Sequence, residues 1–109
     1  MRLGRSRPEP FAELVERQLD LVVTDESELL DEAVEAEQAW IRAGRETAEE
    51  SYGDFQLVID AIADALLGVR ETYARTLDGE TADRYRETFA SAVARRFKTY
   101  PSVVADLEP

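Results

Sequence analysis

The sequence predicts an all-α protein, an antiparallel bundle of three or four helices around a central helix of about residues 48–77. Three observations predict this class. Large apolar side chains recur at steps of three and four residues from Phe11 to Tyr100, the spacing that keeps them on one face of a helix. Gly44, Asp78-Gly79 and Pro101 divide this pattern into segments. The 109 residues suffice for one hydrophobic core and fall short of the size at which chains divide into domains.

The central helix has the widest apolar stripe in the chain. The stripe consists of Tyr52, Phe55, Ile59, Ile62, Leu66, Val69 and Tyr73. Leu57, Val58 and several alanines widen it beyond a simple two-position seam, so this helix needs neighbours on more than one side. Either the two preceding helices close the bundle, or a second copy of the chain does.

The segment before Gly44 has two interpretations. A first helix is expected from Glu9, with Pro10 in its first turn, and a second over residues 26–43. Thr24, followed by two acids, has the character of an N-cap, which favours a break near that residue. A single helix over residues 9–43 is the alternative, because no glycine or proline interrupts the segment.

Local signals also predict where the later helices begin and end. Thr47-Ala-Glu-Glu50 has the pattern of a capping box, and Gly53 within the central helix indicates a kink or a close helix crossing. Gly79 is expected to take the left-handed conformation beyond the end of that helix. Thr81 is expected to cap a fourth helix over residues 82–99, which pairs with the central helix as an antiparallel hairpin.

The two ends of the chain are expected to lie outside the helical domain of residues 9–100. Residues 1–8 contain three arginines and no periodicity, which predicts a flexible basic arm. Pro101 is expected to end the fourth helix, leaving residues 101–109 as a short tail. Partial disorder is the default for such a tail, and packing of Val103, Val104 and Leu107 against the bundle is the alternative.

Composition restricts the function. The formal net charge is −11, and residues 9–64 contain 17 acidic and 3 basic side chains. Such a surface repels phosphates and anionic lipids, so neither nucleic acid nor membrane is expected as a partner. The chain has no cysteine and no histidine, which removes thiolate chemistry, the commonest general base and the commonest transition-metal ligand. No cofactor motif occurs, so we expect a cytoplasmic protein that is not an enzyme and has no cofactor.

The candidate interaction residues are aromatic or aliphatic. They are Trp40, the only tryptophan, together with Tyr52, Phe55, Ile59, Ile62, Leu66, Val69 and Tyr73. All of them are also candidates for an ordinary core. Trp40 is expected to cap the core, and a Trp exposed at a partner interface is the functional alternative.

We therefore predict a protein–protein interaction or assembly role, as a homodimer or as a small subunit of a larger complex. The alternative is a bundle that binds a divalent cation through carboxylates. Asp60 and Asp64, four residues apart on the central helix, are its candidate ligands. A ferritin-like di-iron site is excluded, because its Glu-x-x-His motifs need histidine.

Overall fold

The computed structural model describes residues 10–109, which form five helices and no strand. The predicted arm of residues 1–8 therefore lies outside the described residues. The helices are α1 (Ala12–Asp25), α2 (Ser27–Arg42), α3 (Ala48–Ala74), α4 (Gly79–Arg96) and α5 (Pro101–Asp106). None of the five combines the length and the apolar composition that a membrane span requires.

Helix α3 is the centre of the bundle, and every other helix contacts it. Phe11 meets Tyr73 at one end of α3 and Trp40 meets Tyr52 at the other, so α1 and α2 together run antiparallel to α3. The Tyr73–Tyr85 contact beside the α3–α4 turn shows that α4 also runs antiparallel to α3. The predicted all-α bundle around a central helix is confirmed, although α3 packs most extensively against α2 and less against α4.

The core consists of one apolar cluster that all five helices share. Its fully or nearly fully buried residues are Val15, Leu19, Val22, Ala33, Phe55, Ile59, Ile62, Ala63, Leu66, Ala74, Ala82, Tyr85, Phe89, Ala92, Val93, Phe97, Val103 and Leu107. Helix α2 contributes only Ala33 to this set, whereas Val34 and Ile41 are exposed. Helix α2 therefore covers α3 with the buried Ala33 and with Leu29, Leu30 and Ala36, which are partly buried against the core.

The segment before Gly44 forms two helices, and the break lies at Glu26, two residues later than expected. The Glu26 amide still donates to the Val22 carbonyl, and the Glu26 carbonyl already accepts from the Leu30 amide. Glu26 thus takes part in the backbone hydrogen bonding of both helices, and Thr24 lies inside α1 rather than capping α2. Helix α1 packs against both α3 and α4, whereas α2 packs mainly against α3.

The predicted capping box at the start of α3 is wrong. Thr47 precedes α3, but its side chain makes no cap hydrogen bond. Its hydroxyl instead donates to the Gly44 carbonyl at 3.5 Å, and its amide donates to the same carbonyl at 3.1 Å. The hydroxyl is therefore directed back into the α2–α3 turn and does not reach the Glu50 amide.

The start of α4 also differs from the prediction. Asp78, not Thr81, is the N-cap: its side-chain oxygen accepts a hydrogen bond from the Thr81 amide at 3.0 Å. The helix thus begins at Gly79, three residues earlier than expected, and within residues 10–109 no glycine has a positive φ. Gly79 is the first residue of α4, so its backbone is helical and the expected left-handed conformation is wrong.

Pro101 begins a helix instead of only ending one. Its missing N–H costs nothing in the first turn of α5. Val103 and Leu107 are fully buried, and Val104 packs against the core. Packing against the bundle is therefore the correct alternative for the C-terminal tail, and the default expectation of disorder is wrong.

The entry to α1 contains the one non-glycine residue with positive φ in the described chain. Phe11 has φ 75°, a conformation that costs a bulky residue roughly 1–3 kcal/mol. Its ring packs edge-on against Tyr73 at 6.3 Å and Tyr85 at 5.5 Å between centroids. The Tyr85 hydroxyl donates to Gln18 at 2.7 Å, and burial raises the pKa of Tyr85 to about 12. Aromatic packing around a protonated Tyr85 therefore holds this turn.

A carboxylate in the last turns of α3 joins three helices. Glu71 accepts two hydrogen bonds from Arg86 of α4, at 2.9 and 3.0 Å, and one from Arg70 at 2.7 Å. Arg70 also donates to the Leu107 carbonyl beyond α5 at 3.1 Å. The hydrogen bonds that Arg86 donates have the largest effect on the pKa of Glu71. Together with the hydrogen bond and the positive charge of Arg70, they lower this pKa to about 2.

A second ion-pair cluster joins α1 to α4. Arg95 and Arg96 both pair with Glu16, at 2.8 and 3.1 Å, and Arg96 also pairs with Asp20 at 2.8 Å. These pairs are substantially exposed, so each contributes at most about 1 kcal/mol. They set the register of α1 on α4, and the apolar core supplies most of the stability.

The two glycines inside α3 are not explained by packing within the chain. Among residues 10–109, a Cβ atom built at Gly53 or at Gly68 meets no atom within 4 Å, so the close crossing expected at Gly53 is absent in this part of the chain. We expect Gly53→Ala and Gly68→Ala each to raise the free energy of unfolding by about 1 kcal/mol, measured by urea denaturation. Ala61→Gly, on the same helix, is the matched control and should lower it by a similar amount. Destabilisation by either glycine substitution would contradict this prediction.

The Glu71 cluster predicts a pH dependence. The pKa of Glu71 falls from 4.5 to about 2 on folding, so its contribution is fully present above pH 4.5 and is lost as the pH falls through 2. Because the site is partly open to water, we expect Glu71→Gln to cost about 1 kcal/mol at pH 7. The difference from wild type should shrink between pH 4.5 and pH 2 in urea denaturation. Glu87→Gln, an exposed carboxylate of α4, is the control, and an equal loss in both variants would refute the assignment.

Candidate protein interaction sites

The eight candidate interaction residues separate into three groups in the structure. Ile59, Ile62 and Leu66 are 2 %, 2 % and 0 % exposed and lie in the core beneath the neighbouring helices. The other five residues lie near the two ends of α3, in two surface depressions. The middle of the α3 stripe is therefore covered by the chain itself, and only its ends reach the surface.

The first depression is a groove between α1 and α3, which we call the α1/α3 groove. It has a volume of about 700 Å³. Its lining residues are Gln18, Leu21, Val22, Asp25, Asp64, Ala65, Gly68, Val69, Thr72, Tyr73 and Thr76. Val69 and Tyr73 are the two sequence candidates in this set. The groove is thus the place where α1 does not fully cover the C-terminal half of α3.

The α1/α3 groove has an apolar wall and a floor of small residues. Leu21 on α1 is 62 % exposed, and Val69 and Tyr73 on α3 are half-buried, so apolar side chains of both helices are open to the groove. Ala65 and Gly68 carry little or no side chain, so a bound group can approach the α3 backbone closely. This combination suits an apolar side chain inserted from outside the molecule.

The rim of the α1/α3 groove is acidic. Asp25 and Asp64 line it from the two helices, and both are exposed. Among residues 10–109, no arginine or lysine forms an ion pair with either carboxylate. The nearby negative charges therefore favour a ligand with positive charge at its edges.

The second depression lies near the other end of α3, and we call it the aromatic pocket. It has a volume of about 210 Å³ between α2, α3 and the start of α5. Its lining residues are Glu37, Trp40, Tyr52, Phe55, Gln56, Ile59, Thr99, Tyr100, Pro101 and Ser102. The sequence candidates Trp40, Tyr52 and Phe55 therefore meet in one site.

The rings of the aromatic pocket form a connected cluster. Trp40 lies 4.8 Å from Tyr52 and stacks on Phe55 at 5.8 Å, and Phe55 lies 6.2 Å from Tyr100, between ring centroids. Trp40 and Tyr52 are 38 % and 45 % exposed, whereas Phe55 is buried and Tyr100 is half-buried. Burial, and then the negative charge of Glu37, raises the pKa of Tyr100.

Comparison with protein-family models, curated proteins and solved structures gives no match for this chain. The two depressions are therefore the features of the molecule that bear on its function.

The candidate cation ligands do not come together into a larger cluster. Asp60 accepts a hydrogen bond from Gln56 at 3.2 Å, and Asp64 lines the rim of the α1/α3 groove. Within residues 10–109, no three acidic side chains are grouped in a way that would hold a metal ion. The geometry thus offers this pair no additional protein ligands in the described part of the chain.

Four residues on which the two sites depend are not among the sequence candidates: Leu21, Gly68, Glu37 and Tyr100. Leu21 lies off the regular stripe of α1, and Gly68 lies inside a long helical pattern. Glu37 is one of many acids on α2, and Tyr100 continues the apolar spacing of α4. Pro101 was the sequence signal for the position of Tyr100. A proline that starts a new helix turns the chain and can bring the preceding residue back to the bundle.

Proposed function

We propose that this protein is a non-enzymatic interaction module that binds an amphipathic helix of a partner protein in the α1/α3 groove. The observation that supports it is the apolar groove of about 700 Å³ with exposed Leu21 on one wall and Gly68 in its floor. Helices that bind in grooves insert apolar anchors spaced three or four residues apart. The proposal keeps the cytoplasmic location expected from the sequence.

The length of the α1/α3 groove suits a helical ligand. The part of α3 that lines it, from Asp64 to Tyr73, extends over roughly 14 Å at 1.5 Å per residue. That distance accommodates three anchors at positions i, i+4 and i+7 of a helix lying along the groove. Gly68 lies near the middle of this span, where the central anchor would approach α3 most closely.

The charge of the rim favours a basic partner over a second copy. Asp25 and Asp64 would face lysines or arginines flanking the apolar anchors of the bound helix. A second copy would bring another surface of an acidic protein, whose formal net charge is −11, against the same rim. We therefore favour a subunit role with a basic partner over the homodimer.

The test uses two leucine substitutions at the glycines of α3. Both positions have open space for a side chain, so both variants should fold, and only Gly68→Leu fills the α1/α3 groove. The probe is a fluorescent synthetic helix with leucines at i, i+4 and i+7 and lysine flanks. We expect Gly68→Leu to weaken binding about tenfold or more in fluorescence anisotropy, because a buried leucine anchor is worth roughly 2 kcal/mol. Gly53→Leu should bind like wild type.

Two further measurements can refute the proposed partner. A peptide with glutamate flanks should bind more weakly than the lysine peptide, and equal binding would contradict the role of the acidic rim. Light scattering should give the mass of one chain, 12.3 kDa. A wild-type dimer that Gly68→Leu converts to a monomer would show that a second copy occupies the groove.

A further inference from the structure

The aromatic pocket contains a combination of side chains that takes no part in helix binding at the α1/α3 groove. Three kinds of side chain line one small space: the exposed Trp40 and Tyr52, the half-buried Tyr100, and the acidic Glu37. A purely apolar anchor would gain nothing from the acidic side chain. The combination of aromatic rings and one negative charge is instead the composition that attracts an organic cation.

Glu37 is the group that distinguishes this pocket from an ordinary gap in the core. It is partly buried, and within residues 10–109 no arginine or lysine forms an ion pair with it. Its charge is close enough to Tyr100 to help raise the pKa of that hydroxyl. The pocket thus holds a negative charge that no described side chain neutralises.

The size and position of the pocket restrict the ligand. A volume of about 210 Å³ admits a group the size of trimethylammonium, with its substituent leaving toward solvent. A weakly hydrated cation enters such a pocket at a lower desolvation cost than a primary ammonium does.

We propose that the aromatic pocket binds a quaternary ammonium cation, with Trp40, Tyr52 and Tyr100 contacting its methyl groups and Glu37 opposing its charge. The source of the cation is a choline-like small molecule or a trimethylated lysine of a protein. This site lies toward the Tyr52 end of α3, away from the α1/α3 groove, and does not depend on the groove binding a helix.

Trp40 makes the proposal directly testable, because it is the only tryptophan and lines the pocket. Choline chloride is added stepwise to the protein while the fluorescence of Trp40 is followed. Sodium chloride keeps the ionic strength constant. The neutral isostere 3,3-dimethylbutan-1-ol is the control for shape. We expect a saturable change with choline and at least roughly fivefold weaker binding of the alcohol, the discrimination that a cation–π site provides. Equal binding of both compounds would overturn the proposal.

Matched variants test whether choline binding depends on the aromatic ring of Tyr52 and on the charge of Glu37. Tyr52→Leu should weaken choline binding about tenfold, whereas Tyr52→Phe keeps the π face and should retain most of the affinity. Glu37→Gln should weaken it by a similar factor. Glu35→Gln removes the same charge from α2 outside the pocket and should have little effect. Equal effects within either pair would refute the assigned contacts.

A peptide carrying trimethyllysine distinguishes the two sources. Binding at least roughly tenfold tighter than choline, and lost in Tyr52→Leu, would support a protein side chain as the ligand. Binding no tighter than choline would support the small molecule. Failure of both probes to bind would overturn the proposal, whatever the outcome of the experiments on the α1/α3 groove.

Discussion

The structure depends on burying one long apolar stripe. Helix α3 has 27 residues, and its central side chains Ile59, Ile62 and Leu66 are almost completely removed from water. Each such side chain contributes roughly 1.5–3 kcal/mol relative to an exposed one. No other helix of the bundle is as long as α3. Covering it therefore takes all four other helices, with α2 in the most extensive contact and α1 packed against both α3 and α4.

The two candidate sites follow from how this cover is built. Helix α2 lies close along α3, whereas α1 packs against α4 as well and leaves the α1/α3 groove beside Gly68. At the other end, the turn at Pro101 places Tyr100 beside Phe55, and the rings of Trp40 and Tyr52 remain partly outside. Both sites are thus places where the cover of α3 is incomplete. Apolar surface at such places is available to a ligand without disturbing the core.

The sequence predicted the fold well where the signal was a long periodic stripe, as in α3. The predicted start of α4 was wrong because two residues three positions apart, Asp78 and Thr81, can both cap a helix. Only the path of the chain decides which of them is the N-cap. Of the aromatic pocket, Trp40, Tyr52 and Phe55 were predicted as interaction residues. Glu37 and Tyr100 were not, because 63 positions separate them and only tertiary packing brings them to one pocket.

In this structure one chain covers its own α3 stripe. Urea denaturation at protein concentrations differing about 100-fold tests this most directly, because a core shared between two chains would gain about 2.7 kcal/mol of apparent stability from that change by mass action. If one chain completes its own core, we expect the same urea midpoint at every protein concentration. A midpoint that rises with concentration would contradict it and would show that a second chain completes the core.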